Sequence, residues 1–152
     1  MGKEIRPAGR PPARRARAIL LVEDEPDSAE LMGHILELEG FHVVEAHNGE
    51  DALHRAFEAD IGLALLDVML PGMDGFEICR RLRADARTAR MPIAFISAKT
   101  RAEDRHAGLA AGADVYLAKP ISRAALVSAV KWLLDPTRQT AVAAASSSPA
   151  RG

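Results

Sequence analysis

The chain has 152 residues, 48% of them hydrophobic and 27% charged, which is enough apolar content for one domain with a core of ordinary size. Its formal net charge of −1 conceals a division, because the first eighteen residues carry Lys3, Arg6, Arg10, Arg14, Arg15 and Arg17 against Glu4 alone, leaving an acidic body. Cys79 is the only cysteine and excludes an intrachain disulfide, no apolar run could span a bilayer, and the basic N-terminus lacks the apolar stretch of an export signal, so the expected setting is a soluble domain in the cytoplasm.

Residues 1–17, "MGKEIRPAGRPPARRAR", are rich in Pro, Gly and Arg with little to bury, and read as a flexible basic arm. The run "AILLV" (18–22) is a first strand that ends in Glu23, Asp24 and Glu25. Asp27 or Ser28 is expected to cap a helix whose apolar positions Leu31, Met32, Ile35, Leu36 and Leu38 keep helical spacing until Gly40. "FHVVEA" (41–46) is a second strand, and "NGEDALHRAFEA" (48–59) a second helix with Ala52, Leu53, Ala56 and Phe57 on one side. "IGLALL" (61–66) is a third strand, apolar throughout and therefore expected at the centre of a sheet. A helix over 75–84, a strand over 91–97 and a weak helix over 102–112 with Gly108 in its middle follow. The strand "DVYLA" (114–118) precedes a last helix from Ser122 that places Leu126, Val127, Val130, Leu133 and Leu134 on one face. The ordered domain is thus expected over 18–135, and residues 136–152 read as an Ala/Ser/Pro-rich flexible tail.

Five strands alternating with five helices imply an α/β fold, a doubly wound parallel sheet covered on both faces. Ligands of such folds sit beyond the carboxyl ends of the strands. Glu23 and Asp24 after the first strand, Asp67 after the third, Ser97 after the fourth and Lys119 after the fifth therefore converge at one edge. Three carboxylates held close repel one another unless a cation joins them. A hard divalent ion such as Mg²⁺ fits oxygen ligands of this kind, while Lys119 and Ser97 suit a tetrahedral anion on or beside Asp67. An Asp can act as a phosphoryl nucleophile, and that chemistry depends on positioning and charge neutralisation more than on a base.

The segments "LLVEDEPD", "LLDVMLPGMDG", "ISA" and "YLAKP", in this order and spacing, together with "NG" before the second helix, resemble the receiver domain of bacterial two-component response regulators, the chemotaxis regulators among them. The resemblance covers 18–134 and implies the flavodoxin-like strand order 2-1-3-4-5. It implies that Asp67 accepts a phosphoryl group from a histidine kinase or histidine phosphotransfer protein. Glu23, Asp24, Asp67 and the backbone carbonyl of Met69 would hold Mg²⁺, and Ser97 and Lys119 would bind the phosphoryl oxygens. Ser97 and Tyr116 would be the switch residues, acting on the surface of the fourth helix, fifth strand and fifth helix. The Lys119–Pro120 bond is commonly cis in such proteins. A stand-alone regulator acting on a protein partner and the receiver part of a longer regulator with an output domain both remain open, as does a phosphorylation-linked homodimer.

Taken singly, each feature has a plainer reading. Glu23–Asp24–Glu25 could favour a helix N-terminus, Asp67 could cap a turn, and Tyr116 could be a half-buried strand aromatic. One reading that explains all of them together outweighs several independent ones. The rivals are a receiver-like module not controlled by phosphorylation and a Mg²⁺-dependent phosphatase of the haloacid dehalogenase type, whose motif needs an Asp where this chain has Met69. His34, His42, His47, His54 and His106 show no ligand spacing and read as surface residues. "RRLRADARTAR" lacks interleaved aromatics and reads as a solvated face, so no direct nucleic-acid contact and no membrane contact are expected of the domain.

Overall fold

The computed structural model describes residues 17–138, so the arm over 1–16 and the tail over 139–152 lie outside the described residues. Every residue of Ala18–Val22 (β1) and Ile61–Leu66 (β3) is buried. Unbroken apolar runs of this kind suit strands covered on both faces. They occupy the middle of a parallel five-stranded sheet in the order β2–β1–β3–β4–β5, in which His42–Ala46 is β2, Ile93–Ser97 is β4 and Val115–Ala118 is β5. The edge strands β2 and β5 are only partly buried. The strand order and the alternation of strand and helix match the expectation from sequence.

Strand side chains alternate between two faces. On one face Leu20, Val22, Ala64, Leu66, Ile93 and Phe95 pack with Ala52 and Ala56 of Gly49–Glu58 (α2) and with Ile78, Cys79 and Leu82 of Gly75–Ala84 (α3). On the other, Ile19, Leu21, Leu63, Leu65 and Ile96 pack with Met32 and Leu36 of Pro26–Leu38 (α1) and with Leu126, Val130 and Leu133 of Arg123–Leu134 (α5). The remaining helix, Ala102–Ala110 (α4), lies against Phe95 and Tyr116 through Gly108. Burial pushes the Cys79 thiol up to about 11, so this cysteine is an inert core residue.

Local chemistry explains the helix starts. The side chains of Asn48, Asp74 and Ser122 each accept a hydrogen bond from the backbone N–H three residues on, those of Asp51, Glu77 and Ala125 respectively. At α1 the expectation fails: the cap is Glu25, not Asp27 or Ser28. Pro26 opens the helix at its first position, where a missing N–H costs nothing, and the Ser28 hydroxyl donates to Glu23 instead. Leu31 and Leu38, expected inward, are each 60% exposed, because Ala29, Met32, Gly33 and Leu36 form the inner face. Leu134 is likewise exposed at the end of α5. Residues 136–138, placed in the tail from sequence, form a helical turn whose Arg138 guanidinium is buried near Asp114 and over the Trp132 ring.

Candidate functional site

Backbone ladders run one residue past the strands and set the site residues in register. The Glu23 N–H donates to the Ala46 carbonyl, the Asp67 N–H to Val22, and the Lys119 N–H to Ser97. The carboxylates that follow β1 and β3 meet as a result: Glu23, Asp24 and Asp67 offer oxygens that all lie within 4.8 Å of one another. Glu23 and Asp67 are buried, whereas Asp24 faces solvent.

Lys119 reaches across from β5. Its Nζ donates to Glu23 Oε1 at 2.6 Å and to Asp67 Oδ2 at 2.8 Å. Burial works against the Lys119 ammonium, but the hydrogen bonds to Asp67 and Glu23 outweigh it and raise the pKa above the ordinary lysine value. A raised folded-state value means stability that is fully present below the unfolded pKa, about 10.4, and lost as pH climbs through the folded one. The bridge is therefore intact at neutral pH.

The carboxylates are held by their own neighbours as well. Glu23 Oε2 accepts the Glu25 N–H at 3.2 Å and Oε1 accepts the Ser28 hydroxyl at 3.3 Å. Asp67 Oδ1 accepts the Met69 N–H at 3.1 Å, while the Met69 side chain is exposed. Asp67 sits in a tight corner, since an added Cβ on Gly75 would lie 2.2 Å from the Asp67 carbonyl oxygen. Ser97 is fully buried, and its Oγ accepts the Lys99 N–H at 3.2 Å. The Lys119–Pro120 peptide is cis.

Tyr116 does not touch the carboxylates. Its ring is turned inward, 5.8 Å from the Phe95 centroid, and its hydroxyl donates to the Lys99 carbonyl at 2.5 Å. Burial pushes that hydroxyl above its usual pKa, with Ser97 opposing. Sequence reasoning missed three participants. His47, grouped with the surface histidines, places Nδ1 3.0 Å from the Glu23 carbonyl, and its position just after β2, beside β1, is the signal that could have marked it. Ser28 and Gly75 touch the acids directly, and only the folded backbone reveals those contacts.

Chemically, three hard oxygen donors beside one ammonium suit a divalent cation together with an oxyanion. The clustered carboxylates fit Mg²⁺, which takes one or two carboxylates and completes its shell with water and phosphate oxygens. Removing Lys119 should expose the repulsion it masks. Lys119→Met leaves two buried carboxylates facing each other, at an expected cost of about 2–4 kcal/mol. Mg²⁺ should then raise the melting temperature more than it does for the unaltered protein. Thermal melts in EDTA and in Mg²⁺ check this, and equal stability in EDTA would contradict it.

The response regulator receiver domain family matches residues 19–131. The transcriptional regulatory protein GltR of Pseudomonas aeruginosa is 42% identical over 126 residues, which are 83% of this chain and 52% of that protein. The chain spans about half the length of the curated relatives it matches. Among solved structures, a putative response regulator from Chloroflexus aurantiacus superposes with a TM-score of 0.75 at 36% identity, covering 78% of this chain and 97% of that one. The receiver domain of a sensor histidine kinase from Pseudomonas aeruginosa, described with a magnesium ion in its active site cleft, gives 0.73 at 33% identity over 78% and 97% of the two chains. Among the described residues no helix is long and apolar enough to cross a membrane.

Proposed function

The chain belongs to the response regulator receiver domain family, and on that premise we propose that Asp67 is its phosphoacceptor and that the site described above carries the transfer. Receiver domains are signalling domains rather than conventional enzymes. What supports the assignment is one observation: the Glu23, Asp24 and Asp67 oxygens lie within 4.8 Å of one another, with Lys119 bonded to both Glu23 and Asp67.

Glu23, Asp24, Asp67 and the Met69 backbone carbonyl would hold Mg²⁺, and the bound ion supplies charge neutralisation for the incoming phosphoryl oxygens. The Met69 N–H steadies Asp67 Oδ1, which leaves Oδ2 to attack phosphorus. A P–O bond forms to Asp67 as the bond from phosphorus to the donor histidine breaks, and the donor leaves as a neutral imidazole. Lys119, already 2.8 Å from Oδ2, follows the negative charge onto the phosphoryl group. Ser97 adds a neutral donor by turning its hydroxyl from Lys99 towards the new oxygens. The same groups would let water hydrolyse the acyl phosphate, so the domain resets itself.

The modification adds a charge of about −1.5 to −2. Movement of Ser97 shifts the 97–99 segment, whose Lys99 carbonyl is the partner of Tyr116, and so reaches the surface of α4, β5 and α5. A histidine kinase or phosphotransfer protein in the cytoplasm would be the donor, and an output domain or separate protein would read the changed surface, through a homodimer in one form of output. Residues 1–17 and 136–152 would be flanking segments of the receiver.

Trp132 is the only tryptophan and lies on α5, so its emission reports that surface. Beryllofluoride with Mg²⁺ should change the emission, and EDTA should reverse the change. If Trp132 and Tyr116 emission stay constant and no acid-labile phosphate forms with acetyl phosphate, the proposal fails.

A further inference from the structure

Tyr116 occupies its inward position through contacts with three residues. Its hydroxyl donates to the Lys99 carbonyl, and the N–H of the same Lys99 residue donates to Ser97 Oγ. The ring is therefore tied to the switch hydroxyl through a single residue. From α4, the Arg105 guanidinium carbon stands 5.6 Å from the ring centroid, and Arg105 donates to the Tyr116 carbonyl at 3.4 Å. One turn further along α4, Gly108 faces the ring with no side chain at all.

That missing side chain is the space the ring uses. A Cβ on Gly108 would stand 2.7 Å from Tyr116 Cδ2, 3.0 Å from Cε2 and 3.1 Å from Phe95 Cδ2. The 2.7 Å approach is closer than carbon atoms make, so with a methyl group there the Tyr116 ring must move, whereas Phe95 has nowhere to go. Phe95 is fully buried, with Phe76 edge-on against it at 5.4 Å, so the rings are stacked from α3 to α4 with no slack. Glycine also lowers helix propensity by about 1 kcal/mol relative to alanine. Gly108→Ala should therefore stabilise α4 unless the ring stands in the way.

We propose that Gly108 is a positioning residue for the switch: by leaving a recess on α4 it allows Tyr116 to sit inward before any phosphoryl group arrives, and so sets the resting balance between the inward and outward states. The idea rests on the reading of Tyr116 as the switch aromatic, and deepens it by naming what regulates its position. An unmodified domain with this recess already holds Tyr116 against Lys99, and phosphorylation tightens an arrangement that exists at rest. Filling the recess makes the inward state depend on the phosphoryl group.

Tyr116 is the only tyrosine, so nitration by tetranitromethane reports it alone. In the unaltered protein, nitration should be slow with or without beryllofluoride. In Gly108→Ala it should accelerate about fivefold or more, the low end of the effect of overfilling a packed core, and slow again when beryllofluoride and Mg²⁺ are added. Equal nitration rates in the two proteins, or fast nitration of the unaltered one, would overturn the proposal. A double-mutant cycle covers the case in which Gly108→Ala folds poorly. If the methyl group collides with the ring, Tyr116→Ala should restore folding, and the two changes should be strongly non-additive. Additive losses, or a double variant that also fails to fold, would place the clash elsewhere and overturn the assignment. Labelling of Asp67 by acetyl phosphate in the unaltered protein is scored separately, so failure of the phosphoacceptor reading is distinguishable from failure of this one.

Discussion

Asp67→Asn is expected to abolish phosphoryl uptake from acetyl phosphate while leaving a folded domain. An amide oxygen can still accept the Met69 N–H that Asp67 Oδ1 accepts now. The amide nitrogen would face Lys119 where Oδ2 accepts its proton, but Lys119 keeps Glu23 at 2.6 Å. One of three mutually repelling carboxylates is also removed, so the net change in stability should be about 1 kcal/mol or less in either direction. The chemical loss is total, because a neutral amide is not a phosphoryl nucleophile and cannot form the acyl phosphate. Affinity for Mg²⁺ should fall as well, since two carboxylates remain of three. Intact-mass measurement after acetyl phosphate treatment checks the first point, and urea unfolding checks the second. Residual single-site phosphorylation of the folded variant would show that another group accepts the phosphoryl.

The largest loss of stability is expected from Gly75→Ala, at about 3–5 kcal/mol in urea unfolding. Gly75 opens α3, and its N–H donates to the Val68 carbonyl at 3.0 Å, drawing the helix start onto the strand end. A methyl group there would lie 2.2 Å from the Asp67 carbonyl oxygen and 2.9 Å from the Val68 Cα. Both are backbone atoms of the segment that carries the nucleophile, so no side-chain rotation can relieve the contact. Either α3 withdraws or the Asp67 peptide moves, and each disturbs the carboxylate cluster. Labelling of Asp67 in whatever fraction remains folded should therefore be slow. Stability within 1 kcal/mol of the unaltered protein would contradict this account of Gly75.

Much of the architecture was legible in the residues because local and tertiary preferences agree. Ile61–Leu66 and Gly75–Ala84 fall where the apolar run over 61–66 and the helix expected over 75–84 put them. The rule that strand C-termini converge was enough to bring Glu23, Asp24, Asp67 and Lys119 together. What escaped were features that exist only between elements. Leu31 and Leu38 keep helical spacing but point outward, because the close approach of α1 to the sheet at Gly33 and Leu36 sets which face turns in. Pro26 moved the start of α1 two or three residues earlier than the polar side chains suggested. His47 reaches Glu23 from a neighbouring strand, and the recess at Gly108 is defined by rings on β4 and β5. A helix with a glycine in its middle looked merely weak in sequence, and the rings packed against Gly108 supply the reason for that glycine.

The central claim is that Asp67, among all the acids of the chain, takes the phosphoryl group. Borohydride reduction converts an acyl phosphate to the corresponding alcohol, so a phosphorylated Asp becomes homoserine and is marked permanently. Tryptic cleavage after Arg55 and Arg80 gives a peptide that holds Asp67 together with Glu58, Asp60, Asp74 and Glu77 as internal controls. After treatment with acetyl phosphate and Mg²⁺, fragmentation of this peptide should place homoserine at residue 67 alone, and EDTA should suppress it. Homoserine at any other acid, or none in the fully folded protein, would contradict the account.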